Sequence, residues 1–162
     1  MVELTQELIK KHLKYENGFL YWIDFSIRPT AKETAIGYLS KRGYVSFKFF
    51  NKTTYVHRVI FIYHHGYLPK EIDHINGNKA DNRIENLREA THSQNMTNVK
   101  KYTSNTSGYK GVYFHKPREK WYARIKFNKK FIHLGVFDCP KKAYEEYCRA
   151  AIEYHGEYAH FG

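Results

Sequence analysis

Hydrophobic and polar positions change period along this chain, and each change predicts an element. Leu4 to Leu13 reads as a short helix, followed by β-prone runs at Phe19 to Ile23, Ala35 to Leu39 and Tyr44 to Phe50, separated by Gly and charged turns. Val45, Phe47 and Phe49 alternate with Ser46 and Lys48, the pattern of a half-buried hairpin that turns at Asn51-Lys52 into Thr53 to Val56. The period then switches. Val56, Val59, Ile60 and Tyr63 fall at i, i+3, i+4 and i+7, a one-stripe helix that Gly66 and Pro69 should stop.

Residues 71 to 99 are polar, rich in Asn and too poor in apolar residues to build a core, so their order needs another source. Residues 100 to 108 have neither a large aliphatic side chain nor periodicity and read as a linker. Three β-prone runs follow, Lys110 to His115, Trp121 to Phe127 and Phe131 to Phe137, a three-stranded antiparallel sheet in expectation. Asp138 can cap a last helix whose Ala143, Tyr147, Ala150, Ala151 and Tyr154 form a stripe ended by Gly156. The small alanines would let that helix sit close on the sheet.

A length of 162 residues allows one medium domain or two small ones and excludes large barrel enzymes. With 27 Lys or Arg against 16 acids, the net charge of +11 points to a polyanionic partner. No apolar run is long enough to span a bilayer and the N-terminus lacks a signal-peptide core, so a cytoplasmic protein with no membrane partner is expected. Cys139 and Cys148, with no CxxC, provide neither a disulfide framework nor a structural zinc site. Aromatics at 17% suit either strand-rich cores or a surface that stacks on bases.

The chemistry concentrates in the polar segment. Asp73 and His74 end a β-prone run, Asn86 lies twelve residues after His74, and Asn95 follows nine later. Phosphodiester hydrolysis needs a hard cation on the phosphate and a base for the attacking water. Asp73 and Asn95 can supply oxygen ligands while His74 takes the proton, with Asn86 or a backbone carbonyl holding its tautomer.

TTYVHRVI followed by EIDHINGNKADNRIENLREATHSQNMTN resembles the HNH homing-endonuclease segment of phage and intron-encoded nucleases, over about residues 53 to 98. The resemblance implies a ββα-metal motif at about 71–99: Asp73 and His74 on the first strand, Leu87 to Thr91 on the second, Ser93 to Val99 as the helix. It further implies that His74 is the general base and that Asn86 supports the loop. Asn95 fills the slot that usually holds the last histidine, making an H-N-N variant, and His92 stands as an alternative metal ligand. His57 and Arg58 recur in the resembling sequences, and His57 can equally satisfy a local backbone group.

From Tyr109 to His133 there are eight Lys or Arg and one acid, placed on expected strands and turns, which describes a phosphate-facing sheet. Alternation puts Tyr113, His115, Tyr122, Arg124, Lys126, Phe131 and His133 on one face, and Val112, Trp121, Ala123, Ile125, Ile132 and Leu134 toward the helix. The Y-K-G-V, W-x-A-x-I, L-G-x-F and A-x-x-x-Y-x-x-A-A elements resemble the APETALA-type DNA-binding domain of plant ethylene-response factors, over about 104 to 161. Positions matching that family's contacts are Lys110, Gly111, Tyr113, His115, Arg124, Lys126, Phe131, His133 and Tyr147. Several family arginines and a tryptophan are replaced here, so the plant recognition sequence does not transfer.

The expectation is therefore an α+β protein: an HNH nuclease domain at 1–99, a linker at 100–108 and an APETALA-type domain at 109–162. Its expected activity is metal-dependent endonuclease cleavage of double-stranded DNA, nicking or homing, of phage or mobile-element origin. One divalent cation, Mg²⁺ or else Mn²⁺, would serve each active site of a monomer. The rival readings are an inactive DNA-binding regulator and a nonspecific packaging accessory.

Overall fold

The computed structural model describes residues 3–24, 34–98 and 105–162. Among these residues the fold is mixed α+β, with several small antiparallel sheets and four α-helices, as the sequence pattern predicts. Internal contacts divide it into two compact units, Met1–Ala90 and Thr91–Gly162. That division lies upstream of the expected linker, most of which falls outside the described residues.

In the first unit, helix α1 (Gln6–His12) starts where the Thr5 hydroxyl accepts a hydrogen bond from the Leu8 amide. Strands β1 (Leu13–Glu16) and β2 (Phe19–Trp22) then form a hairpin over Asn17-Gly18, both at positive φ as a two-residue type I′ turn demands. The second sheet has the order β3-β4-β5, with β3 (Tyr38–Leu39) much shorter than the expected Ala35 to Leu39 run, β4 (Val45–Phe49) and β5 (Lys52–Tyr55). Its β4–β5 turn is Phe50-Asn51 rather than Asn51-Lys52. Phe49 pairs with Lys52, and both Phe50 and Asn51 take the left-handed conformation between them.

Helix α2 (Val56–His65) is buried at His57, Phe61 and Ile62 as well as on the expected Val56, Val59 and Ile60 stripe. It packs on α1 and also on β2, β4 and β5, so water reaches little of its first two turns. Gly66 ends it in the left-handed conformation, its amide bonded to the Ile62 carbonyl. The core joins Ile9, Leu13, Leu20, Phe47, Phe49, Val59 and Ile60. This layer supports the hairpin of β6 (Glu71–His74) and β7 (Leu87–Ala90), in which Asp73 lies opposite Arg88 and His74 opposite Leu87.

The second unit opens with α3 (His92–Thr97), whose Thr91 and Gln94 form a reciprocal capping box. A three-stranded antiparallel sheet follows, β8 (Val112–His115), β9 (Lys120–Phe127) and β10 (Lys130–Phe137), with β9 in the middle. Helix α4 (Pro140–His155) covers one face, burying Ala143, Tyr147, Ala150 and Ala151 against Val112, Ala123 and Ile125. The alanines do allow a close approach. A Cβ on Gly111 would stand 2.1 Å from the Tyr147 ring, and Gly111 has φ +74°, so both space and backbone require glycine there.

Two local expectations give way in this unit. Cys139, not Asp138, is the N-cap of α4: Pro140 holds the residue before it extended, and the Cys139 sulfur accepts from the Lys142 amide. Asp138 instead pairs with Lys120. The described end of the expected linker is ordered, because Asn105 Oδ1 accepts from the amides of Ser107 and Gly108 and the Ser107 hydroxyl bonds the Val112 carbonyl.

Candidate active site and nucleic-acid interface

The Asn-rich segment between β6 and β7 is ordered by hydrogen bonds in place of a core. Buried Asn86, in a single 3₁₀ turn, accepts from the Asn76 amide at 3.0 Å and donates to the Asp81 carbonyl at 2.7 Å, fastening both ends of the loop. Within it Asn76 donates to Asp81 at 2.8 Å and accepts from the Asn78 amide at 2.8 Å. Arg83 clamps Asp81 with Nε and a terminal nitrogen, both at 2.8 Å, which holds that carboxyl far below its ordinary proton affinity.

This scaffold sets the geometry of His74, only 4% exposed at the end of β6. Its Nε2 lies 3.2 Å from Oδ1 of Asn82. The Asn82 amide nitrogen donates to the Ala80 carbonyl, which fixes the orientation of the amide and makes Oδ1 the acceptor. Nε2 therefore carries the hydrogen, and Nδ1 carries the lone pair. Burial lowers the His74 pKa from 6.5 and Lys79 adds to that, while the Asn82 bond and the charges of Asp73 and Asp81 oppose it. The residue at His74 is thus Asn82 rather than Asn86, which works on the loop.

Asp73, 3% exposed, takes Arg88 Nε at 2.9 Å and a terminal nitrogen at 2.7 Å, both on Oδ2. Arg88 thus gives Oδ2 of this buried carboxylate two charge-assisted hydrogen bonds. His57 packs edge-on against the His74 ring, 5.1 Å between centroids, and stacks on Tyr55. Its Nδ1 has no hydrogen-bond partner among the described residues, so it does not satisfy a backbone group through that atom. Burial, then His74 and Arg58, bring its pKa down to about 3. Tyr44 completes the enclosure, 5.3 Å from the His57 ring and 6.0 Å from that of His74, and the Lys79 ammonium rests 4.7 Å above the Tyr44 ring.

Asn95 and His92 both lie on α3, in the second unit. In donor chemistry, the Asp73 carboxylate and the Asn95 carboxamide offer the hard oxygens that Mg²⁺ prefers, and such an ion ordinarily keeps water and substrate phosphate as its other ligands. Among the described residues no group of three or more His, Cys, Asp or Glu is arranged to hold a metal.

On the second unit's sheet, Arg124 and Lys126 are exposed on the face away from α4. Arg124 lies 4.9 Å from the centroid of Tyr113 and 4.4 Å from that of Phe131, held between two rings. Tyr122 is buried on the same face beneath Tyr113, His115 and His133, and Phe131 is 61% exposed. Three expected contacts are engaged elsewhere. Tyr147 is 5% exposed in the helix–sheet core, Gly111 backs onto it, and the half-buried Lys110 ammonium donates to the carbonyls of Thr97 at 2.8 Å and His160 at 3.0 Å. Burial brings the Lys110 pKa down to about 8.

The β6–β7 hairpin and the elements beside it lie within residues 54–97, which match the family model described as HNH endonuclease. The chain belongs to the HNH endonuclease family. It is 35% identical over 118 residues to Protein 3.8 of Escherichia phage T7, an alignment that covers 72% of this chain and 97% of that relative. No solved structure matches it. The family implies nuclease chemistry on DNA, and HNH nucleases generally use a divalent metal. No helix among the described residues is long and apolar enough to cross a membrane.

Sequence reasoning did not single out Asn82, Tyr44 or Lys79. Asn82 stands in the quoted D-N-R run, so the motif carried the signal, but its role follows only from the folded loop. The burial of His57 generates a pH prediction. Its unfolded form binds a proton near pH 6.5 and its folded form only near 3, so stability should fall as pH drops through that window. Thermal melting between pH 7 and 3.5 should show a steeper decline for the native chain than for His57→Phe; parallel declines would contradict the assignment.

Proposed function

We propose that the protein is a metal-dependent DNA endonuclease in which the HNH segment, residues 1–99, cuts and the sheet-and-helix segment, residues 109–162, positions the chain on duplex DNA. The single observation that carries the catalytic half is the buried His74 imidazole with Nε2 committed to Asn82. Its Nδ1 accepts a proton from water, the water oxygen attacks phosphorus, and the P–O3′ bond breaks with its electron pair leaving on O3′. A bound Mg²⁺ or Mn²⁺, held by Asp73 and Asn95 with His92 as the alternative ligand, would stabilise charge on the phosphate and on the departing oxygen. Asn86 keeps the loop closed so that Asn82 stays on His74. Arg88 holds Asp73 in place.

The positioning half rests on the open sheet face. Tyr113, His115, Arg124, Lys126, Phe131 and His133 combine positive charge with exposed rings, a combination suited to phosphates and base edges. A three-stranded antiparallel sheet on one helix supports the likeness to the APETALA-type domain. Lys110, Gly111 and Tyr147 act in this reading by holding the sheet to its support. One site cuts one strand per encounter, so a monomer nicks, in keeping with a phage or mobile-element role.

Two experiments separate the halves. His74→Ala should abolish Mg²⁺-dependent cleavage of supercoiled plasmid while gel-shift affinity persists; wild-type rates in that variant would remove His74 from the mechanism. Arg124→Ala with Lys126→Ala should weaken DNA binding and reduce the slope of log affinity against log salt by up to ~2. An unchanged titration would reject the sheet face and favour the nonspecific accessory reading.

A further inference from the structure

Among the described residues, the β6–β7 hairpin and its loop, residues 71–90, carry three cationic side chains of their own, and two are committed to carboxylates. Arg88 is spent on Asp73 and Arg83 on Asp81. Lys79, exposed in the same loop, makes no ion pair among the described residues. It is nevertheless held: its methylene stem runs beside Gly43, and its ammonium sits over the face of Tyr44. Tyr44 is fixed in turn by the 40–44 turn, where its amide donates to the Ser40 hydroxyl and its carbonyl accepts the Ser40 amide. The Tyr44 ring touches both sides of the arrangement, since it also packs against His57 and His74.

A lone ammonium on a solvent-exposed loop ordinarily samples many rotamers. Here an aromatic face holds it beside a buried base, and neighbouring carboxylates leave its charge uncompensated. An anion approaching His74 would therefore meet Lys79 as the available positive charge of the hairpin loop.

Building on the nuclease reading, we propose that Lys79 is a catalytic residue, a clamp that binds a nonbridging oxygen of the scissile phosphate, with Tyr44 as its positioning residue. The ammonium donates to the phosphate oxygen as negative charge builds during attack. Tyr44 keeps the lysine from swinging into solvent, through its ring and not its hydroxyl.

Single-turnover cleavage of supercoiled plasmid at saturating enzyme tests the pair, run beside the native chain and His74→Ala. Removing a preorganised donor to a developing anion should slow Lys79→Gln by about 100-fold. Lys79→Arg should recover most of that rate. Tyr44→Leu should slow cleavage while Tyr44→Phe, which keeps the ring, cuts normally. Melting temperatures of the Lys79 variants should equal that of the native chain. If the native chain cuts, His74→Ala does not, and Lys79→Gln stays within about twofold of native, the clamp is overturned and the nuclease reading stands. Equal losses in Lys79→Gln and Lys79→Arg would overturn it too. A native chain that cuts nothing overturns the nuclease reading and the clamp together.

Discussion

The hydrogen bond between His74 and Asn82 decides which ring nitrogen can take a proton, and much of the first unit exists to keep it in place. A buried imidazole without an acceptor would be free to exchange tautomers, and a base in the wrong tautomer presents a hydrogen where water must give one up. Asn82 prevents this because its own amide is oriented by the Ala80 carbonyl. Asn86 sits one layer further out, stapling the loop that carries Asn82. The loop contains almost no apolar residues, so hydrogen-bond geometry does here what packing does elsewhere, with the α2 core as its foundation.

The two units solve different electrostatic problems. Around His74, burial favours a neutral imidazole, Arg83 and Arg88 are paired with carboxylates, and Lys79 is the cation of the hairpin loop with no ion pair among the described residues. On the second unit's sheet the cations are outward, and aromatic rings rather than carboxylates hold them, which orders Arg124 without neutralising it. Cation–π contact thus recurs at Lys79 and Arg124, in both cases leaving full charge available to a phosphate.

Much of this was legible in the sequence because it depends on period and spacing. Alternation in Val45–Phe49, the α2 stripe and the alanines of α4 each placed an element within a few residues. The D-H-I-N-G-N run marks the hairpin that carries the proposed site. What escaped was set by contacts distant in sequence or by backbone detail. The burial of His57 comes from Tyr44, Tyr55 and His74 closing around its ring, which no single helix pattern displays. The Phe50-Asn51 turn depends on two left-handed residues, and Phe is a poor advertisement for one. The reading of Lys110 as a DNA contact follows charge alone, and the hydrogen bonds of its half-buried ammonium to two carbonyls are set by the fold. Asn82 and Asn86 carry the same side chain four residues apart, and only the folded loop distinguishes the one on the base from the one on the backbone.

The state of the His74 ring is directly measurable by nitrogen-15 NMR of the histidine side chains, assigned by comparison with His74→Gln. At neutral pH the spectrum should show a neutral imidazole protonated on Nε2, with Nδ1 bearing the lone pair. A ring protonated on Nδ1, or an imidazolium carrying both protons at that pH, would contradict the assignment of His74 as the base that activates water.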